Sequence, residues 1–217
     1  MASFEIKRNS LKNENINKPF QNVFVKYANG TISKQENELL TVEIINFINC
    51  NLTKIIEINK KLKIKQSRGP NEPLFSKKIP KLTLEQFLSR IIKYTEAENM
   101  TMLLAFTYIK KLIEKENFIL GKNNVYRLLL GSVVLAIKVL EDKKYDNGSY
   151  SEIGGLSLTE FNEIEYSLAT RLNFEFNPHY EDLENIIEQI NFSLSAQKSR
   201  NQSEDDETAN SLTGSQG

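Results

Sequence analysis

The sequence predicts an all-α protein assembled around one central helix. Three observations carry that prediction. The stretch Val125–Asp142 is apolar on every face, through Val125, Tyr126, Leu128, Leu129 and Leu130, then Val133 to Ile137, then Val139 and Leu140. A helix apolar all round must be enclosed by other elements. The segments on either side repeat apolar residues at i, i+3, i+4 and i+7, the spacing of one-faced helices that need such a partner. Strand alternation is missing beyond a weak pattern at Val23–Tyr27. Gly131 in mid-helix costs about 1 kcal/mol against alanine, which close approach of a neighbouring helix would offset.

The elements follow in order. Residues 1–35 are polar and without a sustained period, so a disordered or loosely docked segment is expected. Residues 36–63 hold an amphipathic helix, Glu36–Leu62, with Leu40, Ile44, Ile48, Leu52, Ile55 and Ile56 on its stripe. Lys60, Lys61, Lys63, Lys65 and Arg68 then read as a solvated helix end favoured by the macrodipole. Residues 64–80 carry Gly69, Pro70, Pro73 and Pro80 and read as a linker. Thr83 and Gln86 make a capping-box pattern ahead of Leu84, Phe87, Leu88, Ile91 and Ile92. Asn99 is placed to cap a second helix, Met100–Glu116, with Leu103, Phe106, Ile109, Leu112 and Ile113 inward, and Asn123 to cap the central one. Asp146-Asn147-Gly148 signals a turn. Tyr150–Ile153 makes about one helical turn, ended by Gly154-Gly155. Ser157 and Glu160 box a further helix with Leu158, Phe161, Ile164, Leu168 and Leu172 on its stripe. After Asn177-Pro178, residues 178–191 form a short helix through Tyr180, Leu183, Ile186, Ile187 and Ile190. Residues 192–217, with the acidic run Glu204–Glu207, are expected to be a disordered tail.

Composition narrows the function. Lys plus Arg and Asp plus Glu number 28 each in 217 residues, which removes the broad basic footprint of a nucleic-acid binder. Cys50 is the one cysteine, so no internal disulfide can form and a reducing compartment fits. No uninterrupted apolar run approaches the roughly 18 residues of a membrane span, and Met1–Ser10 lacks a signal core. The expectation is a soluble intracellular protein, in nucleus or cytoplasm, without membrane or nucleic acid. One histidine, His179, and one cysteine make no metal cluster, and no phosphate-binding glycine loop or kinase signature occurs. No cofactor is expected, and the carboxylates are scattered on helix surfaces, so no catalytic group is assigned.

The pattern resembles a cyclin box. The detailed match is closer still, resembling P-type cyclins of the phosphate-pathway group over about residues 38–177. The similar segments are Ile56-Glu57-Ile58-Asn59, Phe75 through Pro80-Lys81-Leu82-Thr83-Leu84-Glu85, and Arg90-Ile91-Ile92-Lys93-Tyr94-Thr95 with Tyr108-Ile109. Asn124-Val125-Tyr126-Arg127-Leu128-Leu129-Leu130, Lys138-Val139-Leu140-Glu141-Asp142, Gly154-Gly155-Leu156-Ser157-Leu158 and Leu172-Asn173-Phe174 continue the likeness. The resemblance implies a single five-helix cyclin box at residues 81–177, with an additional N-terminal helix and a short C-terminal one. The residues after Pro178 are too few for a second box.

It also implies a non-catalytic regulatory subunit that forms a heterodimer with a cyclin-dependent protein kinase, with the cell cycle as the family's setting. Such a subunit holds the kinase's mobile small-lobe helix in the active position. By match to the family, Lys138 and Glu165 bind kinase backbone, the ammonium donating to carbonyls and the carboxylate accepting from amides. Val139, Phe174 and Phe176 match apolar positions of the same surface, and Arg90, which matches the arginine of the first box helix, is the sixth expected kinase-binding residue. Lys110 stands where the family pattern has the aspartate that pairs with that arginine, which predicts Arg90 without its usual partner. Ser89, Lys93 and Glu96 replace the apolar docking patch of some cell-cycle cyclins. The competing readings are a cyclin-box protein acting in transcription and a scaffold that activates no kinase.

Overall fold

The computed structural model describes residues 26, 29–64, 72–142, 144–177 and 181–192, and all regular secondary structure among them is helical. The expectations for Val23–Tyr27 (apart from Lys26), Lys65, Arg68, Pro178, His179, Tyr180 and the Glu204–Glu207 tail lie outside the described residues. The helices are α1 Lys34–Lys61, α2 Leu84–Thr95, α3 Asn99–Lys115, α4 Val125–Leu140, α5 Asn147–Gly154 and α6 Leu158–Arg171. A last helix, α7, covers 181–192.

The central helix α4 is buried at every residue from Leu128 to Ile137. It packs most extensively on α3, then on α6, with α5 and α2 completing its surroundings. Gly131 faces α6: a Cβ added there would lie 3.0 Å from Ile164 Cγ2. The missing side chain is what lets the two helices approach, and it offsets the propensity cost of glycine. The helix ends at Leu140 and leaves Glu141 and Asp142 outside it.

α3 differs from its expected single inner face, since Thr101 through Ile109 are all buried. Polar side chains had masked this, and each has a partner. Thr101 Oγ1 donates to Glu141 Oε1 at 2.6 Å, Thr107 Oγ1 to the Leu104 carbonyl at 2.7 Å, and the Tyr108 hydroxyl to the Phe176 carbonyl at 2.7 Å. A buried hydroxyl costs little once hydrogen-bonded.

Two expected caps are placed differently, and α1 carries one that was not expected. α3 begins at Asn99, so Asn99 is not its cap: the buried amide instead accepts from Thr41 Oγ1 at 3.0 Å and donates to Asn37 Oδ1 at 2.8 Å, tying α3 to α1. Glu141 serves that terminus from the far end of α4, accepting the Glu98 amide at 3.0 Å. α4 is preceded by Asn124, not Asn123, and the Asn124 side chain bonds backward to the Gly121 amide and the Ile119 carbonyl, at 2.9 Å each. α1 starts before Glu36, because Ser33 and Glu36 form a capping box. The boxes at Thr83/Gln86 and Ser157/Glu160 are present. α5 is longer than the expected single turn; Asp146 caps it, and Gly155 closes it in the left-handed region at φ +65.

α1 buries Leu40, Ile44, Ile48, Leu52 and Ile56 against α2 and α3, with Ile55 half-buried. By length and composition it is apolar enough to cross a membrane, unlike the expectation from uninterrupted runs, but its stripe is engaged in the bundle. In α6 the stripe holds at Phe161, Ile164, Leu168 and Leu172, whereas Leu158 in the first turn is exposed. The described part of the segment read as a linker packs on the bundle: Leu74 is fully buried, and Phe75 lies 6.0 Å from the Phe118 ring. Ile186 and Ile190 of α7 are buried too.

Candidate functional site

The C-terminal end of α4 is where the expected site residues meet other helices. Lys138 is the first residue of α4 after the fully buried run, so its ammonium emerges at the rim. It forms an ion pair with Glu165 Oε1 of α6, and its side chain is 33% exposed against 19% for Glu165. The two residues expected to grip a partner from separate helices are therefore bonded to each other in the free chain.

A third residue holds both. Lys138 Nζ donates to Asn147 Oδ1 at 2.7 Å, and Asn147 Nδ2 donates to Glu165 Oε2 at 2.8 Å and to Asn162 Oδ1 at 2.8 Å. Asn147 is the first residue of α5, set by the Asp146 cap, whose carboxylate accepts the Ser149 amide at 2.8 Å. Sequence reasoning took Asn147 only as a turn residue; an amide between a lysine helix and a glutamate helix has no signature until the chain folds. The Lys144 ammonium closes the loop by donating to the Lys138 carbonyl at 2.8 Å. Beneath the network Tyr150 is fully buried, and its hydroxyl accepts the Tyr145 amide at 3.1 Å. Burial first, then the nearby carboxylates of Glu141 and Glu165, push that phenol above its ordinary pKa, so it stays neutral.

The apolar members divide. Val139 and Leu140, beside Lys138, are exposed, and Phe174 is 60% exposed. Asn173 and Phe174 both have left-handed backbone, φ +52 and +56. Asparagine tolerates that region; a phenylalanine there costs about 1–2 kcal/mol. Phe176 is half-buried, its ring 6.2 Å from Phe174 and 6.2 Å from Tyr108. The Tyr108 hydroxyl fixes its carbonyl, and burial raises the Tyr108 pKa well above the usual tyrosine range. The Lys111–Glu175 ion pair at 2.9 Å ties the same turn to α3. Phe176 is thus largely a packing residue, while Phe174 is exposed on a left-handed backbone whose amide donates to the Ala169 carbonyl at 2.9 Å.

Arg90 stands apart. Its Nε donates to the Ile153 carbonyl at 2.9 Å, and its guanidinium sits 5.5 Å from the Tyr94 ring centroid. It has a partner after all, the C-terminal carbonyl end of α5, and so helps seat the helix that carries Asn147. Lys110 pairs with Glu114 along α3 at 3.8 Å. At the opposite end of α4, Arg127 pairs with Glu160 at 2.6 Å and donates to the Pro73 carbonyl at 2.8 Å, fastening α6 and the 72–80 segment. Hydrogen bonds from the Ser157 backbone, then from its hydroxyl and from Arg127, hold the Glu160 carboxyl below its ordinary pKa against burial. Among the described residues no group of three or more His, Cys, Asp or Glu is placed to hold a metal ion.

Comparison with known proteins gives a family match over residues 20–176, to the model described as Cyclin. The chain is similar to Cyclin-U4-1 of Arabidopsis thaliana, 28% identical over 148 residues, covering 67% of this chain and 73% of the relative. It is 30% identical to Cyclin-U1-1 of the same plant over 141 residues, 63% of this chain and 67% of the relative. To Cyclin-P3-1 of Oryza sativa subsp. japonica it is 33% identical over 95 residues, 44% of this chain and 40% of the relative.

Proposed function

The chain belongs to the cyclin family, and on that premise we propose that it is a regulatory subunit of the P-type kind that binds and activates a cyclin-dependent protein kinase. The observation that carries the proposal is the Lys138–Glu165 pair at the rim of α4, bridged by Asn147. The bundle does not require this pair. Both side chains lie off the apolar stripes, and a partly exposed ion pair contributes little to a fold. Its chemistry suits a peptide backbone: the ammonium has an N–H left to give to a carbonyl, and each carboxylate oxygen has a lone pair left for an amide. Exposed Val139, Leu140 and Phe174 supply apolar surface for the same encounter.

In this mechanism the chain contributes no catalytic group. It binds the kinase conformation in which the mobile small-lobe helix is turned inward, so that the kinase's own Lys–Glu pair closes. Moving an equilibrium from 1:99 to 99:1 takes about 5.5 kcal/mol of differential binding. Two desolvated charged contacts, each costing roughly 2–5 kcal/mol to truncate, are of that order. A kinase partner sets the protein inside the cell, in cytoplasm or nucleus, and the balanced charge favours a protein partner over nucleic acid.

The test is reconstitution. The purified chain is mixed with a purified, inactive cyclin-dependent kinase; co-elution in gel filtration and phosphoryl transfer to a peptide are measured. Complex with activation is expected. Complex without activation would replace the proposal with a scaffold, and no complex across a panel of such kinases would overturn it.

A further inference from the structure

We infer that Asn147 is the positioning residue of the Lys138–Glu165 clamp, the group that sets both charges in binding geometry without neutralising either. The inference rests on the kinase-binding reading above and adds to it a residue on a third helix.

The polarity of the amide is what matters. Its carbonyl oxygen accepts from the Lys138 ammonium at 2.7 Å, and its NH2 gives one hydrogen to Glu165 Oε2 at 2.8 Å and the other to Asn162 Oδ1 at 2.8 Å. A carboxylate at this position could accept but not donate, and it would face Glu165 with like charge. A hydroxyl is too short to span the two groups. An apolar side chain would leave the pair to a single contact between two flexible side chains, a lysine with four rotatable bonds and a glutamate with three. With the amide present, each charged group is held by two bonds instead of one, and its rotamer is settled before any partner arrives. Preorganisation of this kind raises affinity by removing the ordering cost at binding.

α5 is built to deliver that amide. Asp146 caps its first turn, Tyr150 anchors it in the core, and Arg90 of α2 donates to its last carbonyls at Ile153. Asn162, one turn before Glu165 on α6, fixes the amide's orientation by accepting the hydrogen that Glu165 does not use. The charged groups in contact with Asn147 are Lys138 and Glu165 alone among the described residues; Lys144 faces the Lys138 carbonyl and the Asp146 carboxylate is turned to the Ser149 amide.

The test uses the full chain and a purified cyclin-dependent kinase that the unmodified chain binds, with affinity measured by titration calorimetry. Asn147→Ala is expected to weaken binding about tenfold, the size of losing one hydrogen bond to a charged group. Asn147→Asp gives the reading that a merely structural role would not move. The carboxylate still accepts from Lys138, but it cannot donate and it faces Glu165 with like charge, so affinity should fall further than in Asn147→Ala. Thermal melting accompanies each titration, and both variants should melt within a few degrees of the unmodified chain. Lys138→Ala separates the two levels of the argument. If Lys138→Ala loses affinity while Asn147→Ala and Asn147→Asp bind normally, or if their loss of affinity is no larger than their loss of stability, the positioning role is overturned. If Lys138→Ala itself binds normally, the clamp reading fails and the role of Asn147 fails with it. Should Asn147→Ala misfold, Asn147→Asp, which keeps the size of the amide, still decides.

Discussion

Truncating the clamp separates function from fold because its two energies differ in size. In the free chain Lys138 and Glu165 are a partly exposed pair, 33% and 19% accessible at the side chain. Such a pair contributes at most about 1 kcal/mol, so Lys138→Ala or Glu165→Ala should lower Tm by only about 2–4 °C in a domain of this size. The buried core is not involved: Ile137 next to Lys138 is buried and Ile164 next to Glu165 is buried, and both keep their contacts. In a kinase complex the same groups would be desolvated. Removing one partner of a buried charged contact costs about 2–5 kcal/mol, mostly through faster dissociation. That is a loss of roughly 30-fold to several thousandfold in affinity. The two variants should be less than additive, since each removal also frees the other charge from its pair. Surface plasmon resonance gives the dissociation rates, and thermal melting followed by circular dichroism gives the stability. Lys115→Ala, an exposed charge near the end of α3, is the control and should bind like the parent. A Tm fall of more than about 10 °C with an affinity change no larger than the stability change would refute the reasoning, for the pair would then be structural.

Three further outcomes are expected. Phe174→Gly relieves the left-handed backbone at φ +56, so Tm should hold or rise by a few degrees while kinase affinity drops with the lost aromatic surface; a destabilised protein that binds normally would show the ring to be a packing element. Gly131→Ala gains about 1 kcal/mol of helix propensity yet places a methyl 3.0 Å from Ile164 Cγ2, so Tm should fall, and a rise would mean that α4 and α6 do not approach as closely as described. Glu36 is held at about 2, below its ordinary 4.5, chiefly by the hydrogen bond from Lys26 and then by the Ser33 amide. A depressed carboxyl stabilises the fold above its unfolded pKa and loses that contribution as pH falls, here between 4.5 and about 2, so amide exchange in the first turn of α1 should accelerate over that window and Glu36→Gln should abolish the dependence.

The helices themselves were legible before folding was considered. Apolar spacing is a property of the chain, and the burial of Phe87, Leu88 and Ile91, or of Ile164 and Leu168, follows from it directly. Local caps were legible at Thr83 and Gln86 and at Ser157 and Glu160, whereas the same spacing at Ser33 and Glu36 straddled the edge of a segment expected to be disordered. The resemblance singled out Lys138, Glu165 and Phe174 because matched patterns carry residue positions, but not what those residues touch. Only the tertiary structure decided the contacts between residues distant in sequence. Glu141 reaches the start of α3 and displaces the local cap expected from Asn99; Arg90 finds a carbonyl on α5 in place of an acidic partner; Asn147 bridges a lysine and a glutamate from two other helices. None of these has a period or a fixed spacing, because a hydrogen bond between different helices, here across 9 to 63 residues, depends on where whole helices come to rest. That placement is set by the summed packing of the core, to which side-chain shape such as the absent Cβ of Gly131 contributes as much as hydrophobicity.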